Sequence, residues 1–145
     1  MLACLVLLID QGTKAWAVAT LTETERIPLV GNLLGLQLVY NPGAALSFGE
    51  SSTWVFALIA VAATVAAVVF AFRVQRPGWA IVIGALGGAA ASHAGDRLFR
   101  APGFAQGHVV DFIAYGDWFV GNIADIVIVI AAVAGALLMI RNNEE

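Results

Sequence analysis

Apolar residues run along this chain in long blocks rather than in short amphipathic stripes. A helix that crosses a bilayer needs roughly 20 apolar residues at about 1.5 Å rise each. Residues 52–72 satisfy this with no charge and a composition rich in Val and Ala. Arg73, Arg76, Pro77 and Gly78 then close the block in a turn. A second block, 79–95, opens at Trp79 and is rich in Gly and Ala; Gly84, Gly87 and Gly88 would let a neighbouring helix approach closely. A third, 118–140, carries Asn122 and Asp125 near its start. The first span, 1–21, is the least regular, because Asp10, Gln11 and Lys14 interrupt it after the apolar run Met1 to Ile9. Met1 begins almost inside the membrane, so a few natural residues are expected ahead of it.

The expected fold is a mainly α membrane protein, one domain over 1–145, with four transmembrane helices and two substantial connections. In the first connection, Thr22 to Ser51, the segments Ile27-Pro28-Leu29-Val30 and Gln37-Leu38-Val39-Tyr40 have strand character. Gly31-Asn32 reads as the turn between them, which predicts a small sheet at the membrane surface. The second connection, Asp96 to Asp117, contains Pro102, Gly103 and Gly107 and reads as a loop. Four spans put both termini on one side. Arg73, Arg76 and Arg141 balance Arg26, Arg97 and Arg100, so the positive-inside rule leaves the orientation open.

Composition agrees with the pattern. The chain is 61% hydrophobic and 12% charged, against about one quarter charged in soluble domains, too little to cover a water-facing surface. The net charge of -3 and the lack of a basic cluster argue against a nucleic-acid partner. Cys4 has no second cysteine to pair with and is expected to be a buried apolar thiol. The end, Asn142-Asn143-Glu144-Glu145, reads as a solvated tail.

Ionisable groups inside spans cost roughly 2.5 kcal/mol or more each, so they usually have a partner or a function. Asp10, Lys14, Asp96, Arg97, Asp111 and Asp125 all lie in, or at span ends adjoining, the two large connections. They can therefore converge near one face of the membrane. Asp10 and Lys14 are spaced i, i+4 with the acid first, which favours a salt bridge. Asp96-Arg97 closes its span and reads either as an anchor with a snorkelling Arg, a view Arg100 supports, or as part of a site. Asn122 and Asp125, spaced i, i+3, share a helix face, and no basic residue within that span can pair with Asp125. Asp111 sits inside Val109-Val110-Asp111-Phe112-Ile113, apolar company unusual for a plain loop. For Asp111 and Asp125, a capping or surface role stands beside a site role.

Two carboxyls held close together cannot both ionise readily, so one keeps its proton. The charged member can take a proton from water while the protonated member donates to a scissile carbonyl. That chemistry needs no metal and no cofactor. His93 and His108 lack Cys or Glu at zinc-ligand spacing. Ser47, Ser51, Ser52 and Ser92 lack a nucleophile elbow.

Five segments, in order, resemble the lipoprotein signal peptidases, also called signal peptidase II. They are Asp10-Gln11-Gly12-Thr13-Lys14; Asn41-Pro42-Gly43-Ala44-Ala45-Leu46-Ser47-Phe48; Gly87-Gly88 through Asp96-Arg97; Val109-Val110-Asp111-Phe112; and Asn122-Ile123-Ala124-Asp125. The resemblance implies that Asp111 and Asp125 are the catalytic dyad. It implies that Asp10, Lys14, Asn41, Asp96, Arg97 and Asn122 support the site or contact substrate. It further implies a diacylglyceryl-modified prolipoprotein substrate cleaved before its lipidated cysteine, an extracytoplasmic β-cradle with a short surface helix, and sensitivity to globomycin. The location implied is the bacterial cytoplasmic (inner) membrane, among membrane lipids, with both termini cytoplasmic and the chain a monomer. Two positions depart from the family pattern: Ser92-His93 replaces Gly-Asn, with His93 in the place of the family Asn, and Gly121 replaces a Phe.

Two other classes compete. A small transporter or channel subunit with an intramembrane Asp/Lys polar site would need polar residues along several helices; block 52–72 has only Thr64 between its ends. A structural assembly partner would dock through Gly84, Gly87 and Gly88.

Overall fold

The computed structural model describes residues 1–43 and 52–143. Ala44 to Phe48 of the second resembling segment, and the Glu144-Glu145 end, lie outside the described residues. Helices α1 (Leu2–Thr20), α2 (Thr53–Ala71), α3 (Pro77–Phe99) and α4 (Ile123–Asn143) form the body. Strands β1 (Ile27–Val30), β2 (Leu34–Asn41), β3 (Val109–Tyr115) and β4 (Phe119–Gly121) make one antiparallel sheet in the order β1-β2-β3-β4. Gly31 and Gly116 supply the positive φ values, 50° and 55°, at the β1–β2 and β3–β4 turns.

Among the described residues, three helices are long and apolar enough to cross a membrane: Leu2–Thr20, Thr53–Ala71 and, within α4, Ile123–Arg141. They turn large apolar side chains outward, including Leu8 and Trp16 on α1, Leu58 and Phe70 on α2, and Val129 and Leu137 on α4. In water this surface would be unfavourable; against lipid it is matched. Cys4 belongs to this outward set, so it is an exposed thiol and not the buried one expected.

Helix α3 differs in kind. It packs against each of the other three helices, and its buried face is Val82, Gly87, Gly88, Ala89, Ser92, Ala94, Asp96 and Arg97. Small residues serve contact there. A Cβ on Gly88 would come within 2.4 Å of the Ala3 carbonyl oxygen, and one on Gly87 within 2.9 Å of the Ala67 Cβ. The close helix approach expected of these glycines is what the packing requires.

Two boundaries differ from the sequence reading. The block expected over 79–95 continues as helix to Phe99, because Asp96 and Arg100 are bonded to each other across one turn, Nε to Oδ1 at 2.6 Å. The span expected from Trp118 begins at Ile123, because Phe119–Gly121 returns as a strand on β3. The hairpin read at Ile27–Tyr40 is present. The connection read as a loop holds β3, which lies on the C-terminal end of α1. On one face of β3, Val110 and Phe112 pack with Ala17, Leu21 and Leu38, and Trp16 meets Phe112 edge-on at 6.2 Å. Residues 101–108 form turns; the described residues show no short surface helix, and residues 44–51 of the first connection lie outside them.

Candidate active site

Side chains alternate across a strand. With Val110 and Phe112 committed to α1, Asp111 is directed to the opposite face of β3. There Val39 lies across from it on β2, and Asn41 is the same-face neighbour two residues on. The Asn41 amide donates to Asp111 Oδ2 at 3.0 Å, and the Asn41 Oδ1 accepts from the Gly43 N–H at 3.0 Å, which fixes which way the amide points. Apolar flanks around Asp111 are thus those of a strand buried on both faces.

Asp125 arrives on the first turn of α4. The Asn122 N–H donates to Asp125 Oδ2 at 3.0 Å, and the Asp125 N–H donates to Asn122 Oδ1 at 3.1 Å. This reciprocal arrangement is a capping box. With its Oδ1 so occupied, the Asn122 amide nitrogen faces Asp111, donating to Oδ1 at 2.6 Å. One residue therefore touches both acids. Gly121 leaves room beside the acid: a Cβ there would stand 2.9 Å from Asp125 Oδ2 and 3.5 Å from Phe119, so a larger residue would have to shift the carboxyl. Phe119, stacked on Tyr115 at 4.7 Å, covers this side of the site.

Both acids line a cavity of about 490 Å³ with Asn41, His93 and Arg97 at its polar end. Its remainder is apolar, walled by Phe56, Ile59, Ala63 and Ile128 among others. His93 Nε2 lies 3.3 Å from Asp125 Oδ1, so the partner expected from another segment is a histidine of α3. Burial raises the Asp111 carboxyl from the ordinary 3.8 to about 6, the two amide donors oppose this, and the Asp125 charge reinforces it.

Asp10, Lys14, Asp96 and Asn122 do not line the cavity; they stand behind it. The expected Asp10–Lys14 pair forms at 2.7 Å, and Lys14 Nζ reaches Asp96 equally, at 2.7 Å, with all three side chains buried. Asp10 also accepts from Ser92 Oγ at 2.5 Å and from the Ala124 N–H at 2.7 Å, tying α1 to α3 and to the start of α4. Asp96 accepts from Gln11 Nε2 at 2.9 Å and from the Val110 N–H at 3.4 Å, beside Asp111. These contacts place Asp10, Lys14 and Asp96 behind the two acids, outside the cavity lining. Arg97 does not snorkel. It is buried, its guanidinium donating to the carbonyls of Asn41, Pro42, Gly43 and Gly107. It thereby clamps the turn that carries Asn41, and it lies 5.6 Å above the Phe56 ring. Gln11, Ser92 and Arg100 were not singled out for the site from sequence. The i, i+4 spacing of Asp96 and Arg100 is the signal that points to one of them.

Fold and site together define a helical membrane protein whose cavity carries two acids joined through one asparagine. A family model described as signal peptidase (SPase) II matches residues 2–141. A lipoprotein signal peptidase of Bifidobacterium longum (strain DJO10A) is 42% identical over 141 residues, covering 97% of this chain and 77% of that protein. One of Rhodococcus jostii (strain RHA1) is 41% identical over 139 residues, covering 96% and 68%. A bacterial membrane enzyme solved by the in meso method at 2.3 Å shares the fold, with a TM-score of 0.84 at 23% identity over 98% of this chain and 87% of that one. The chain belongs to the signal peptidase II family, whose members are aspartic proteases.

Proposed function

We propose that this chain removes the signal peptide from diacylglyceryl-modified prolipoproteins, with Asp111 and Asp125 as the catalytic dyad. The observation that carries the reading is the shared cavity. Two acids from different elements, Asp111 buried and Asp125 partly exposed, open into it, and Asn122 bonds to both. A water between them gives a proton to the Asp125 carboxylate as its oxygen adds to the scissile carbonyl. The Asp111 carboxylic acid protonates the carbonyl oxygen. The tetrahedral species then collapses: the C–N bond breaks as the proton held by Asp125 passes to the departing amide nitrogen, and a hydroxyl proton returns to Asp111 as the carbonyl re-forms. Asp111, with its value near 6, holds a proton closer to neutrality than an ordinary aspartate does.

The apolar part of the cavity, between α2, α3 and α4, suits a substrate that is itself lipid-anchored. Helix α3 serves as a fourth span. Its small residues lower its hydropathy but face its neighbours rather than lipid. Four spans put both termini on one side; family membership supports that side as the cytoplasmic one, with the sheet and dyad at the extracytoplasmic end, in a monomer of the bacterial inner membrane. The transporter reading is disfavoured because α2 carries no charged group and the polar contacts gather at one end of the bundle. The test is incubation of the purified chain in liposomes with a lipid-modified precursor, read by mass spectrometry. Cleavage immediately before the lipidated cysteine is expected. Cleavage that ignores the lipid, or none at all, would defeat the reading.

A further inference from the structure

The two acids are not equivalent in their surroundings. Among the described residues, the side chains that donate to Asp111 are the neutral amides of Asn41 and Asn122. Asp125 Oδ2 is engaged by the Asn122 N–H in capping α4, which leaves Oδ1 facing the imidazole of His93 at 3.3 Å. The other cations nearby are committed elsewhere. Arg97, one turn along α3 and also lining the cavity, points its donors at four carbonyls. Lys14 on α1 lies between Asp10 and Asp96, and Arg100 is on Asp96. Helix α2 brings no titratable group; on β3, Asp111 is the titratable group lining the cavity, with Tyr115 near enough to feel the Asp125 charge. Among the described residues, His93 is the basic group in contact with the dyad.

On the reading of Asp111 and Asp125 as the dyad, we propose that His93 is a positioning residue that fixes Asp125 as the ionised member, leaving the shared proton to Asp111, so that cleavage depends on the protonation of His93 itself. A protonated imidazole next to a carboxylate favours its charged form, and a neutral one can still donate a single N–H bond. An asparagine, the residue of the family pattern at this position, can only do the latter. The structure thus carries a pH-responsive element where a fixed donor would otherwise stand. His93 is partly buried, its side chain 18% exposed beside Asp125.

The experiment compares the full chain with His93→Asn and His93→Leu in detergent micelles on a lipid-modified precursor peptide, measuring kcat and KM from pH 5 to 9. His93→Leu is expected to lose about tenfold or more in kcat with KM nearly unchanged, because orientation of the base is lost while the apolar cavity remains. His93→Asn is expected to recover most of kcat near neutrality, but to lose activity on the acid side at a pH higher by about half a unit or more, since it lacks the positive charge. A His93→Asn profile superimposable on the parent, or a His93→Leu variant with unchanged kcat, would overturn the inference. Should His93→Leu fail to fold, the His93→Asn profile decides alone. Asp111→Asn and Asp125→Asn are run alongside. If both are inactive while the His93 variants match the parent, only the His93 inference fails; if either cleaves normally, the dyad reading itself fails.

Discussion

Replacing Asp111 by Asn should change stability as well as activity, and in a pH-dependent way. In the folded chain this carboxyl is 3% exposed and its value rises from 3.8 to about 6. The folded state therefore holds a proton that the unfolded chain releases. Stability from this group is complete below pH 3.8, falls as pH rises toward 6, and stays low above it. The gap corresponds to about 3 kcal/mol of native stability forfeited at pH 7.5 relative to pH 3.5. An asparagine has no such penalty. It would, however, set an amide nitrogen against the donors of Asn41 or Asn122, at about 1–3 kcal/mol. The net change at one pH is thus small, but the change between two pH values isolates the ionisation. Thermal unfolding of parent and Asp111→Asn in the same detergent at pH 3.5 and pH 7.5 reads it. The variant should gain about 3 kcal/mol on the parent between the two conditions, roughly 6–12 °C by the scaling of soluble domains of this length. Parallel shifts of the two proteins would refute the buried, proton-holding environment assigned to Asp111.

Lys14→Met leaves Asp10 and Asp96 buried without the cation between them and should destabilise the protein by about 3–5 kcal/mol, seen as a large drop in Tm. An unchanged Tm would mean the pair is not ionised. Gly88→Ala should disrupt the α1–α3 contact, since its Cβ meets the Ala3 carbonyl at 2.4 Å. Gly12→Ala, with nothing within 4 Å, should instead stabilise α1 by about 0.5–1 kcal/mol. Opposite signs in thermal unfolding are the expected outcome. Asn41→Ala removes one of the two amide donors on Asp111 and should reduce kcat more than KM, by about fivefold to tenfold for one hydrogen bond.

The helical frame could be read from sequence because lipid imposes long uninterrupted apolar runs, and the Asp10–Lys14 pair because i, i+4 spacing fixes a helix face. The second connection could not. Val109–Tyr115 is apolar on both faces, since α1 covers one and the cavity the other, so the alternation that marks a half-buried strand is absent. The start of α4 was misplaced because Phe119 and Val120 suit a span as well as a strand; only pairing with β3 separates the two. Asp125 was left open between cap and site; its Oδ2 serves the cap and its Oδ1 faces His93 at the cavity. Arg97 and Arg100 looked alike as span-end anchors. They diverge because β2 and its turn fold over Arg97, while Arg100 stays within reach of Asp96, a long-range fact no local spacing carries. Cys4 was expected inside because thiols are usually buried in water-soluble folds; in lipid the outer surface is equally apolar.

Single-turnover cleavage of a lipid-modified precursor by the parent, Asp111→Asn and Asp125→Asn in matched liposomes, with folding verified by Tm, bears most directly on the dyad. Each variant should lose about a hundredfold to ten-thousandfold in rate while still binding the precursor. A folded variant of either residue that cleaves at the parental rate would contradict it.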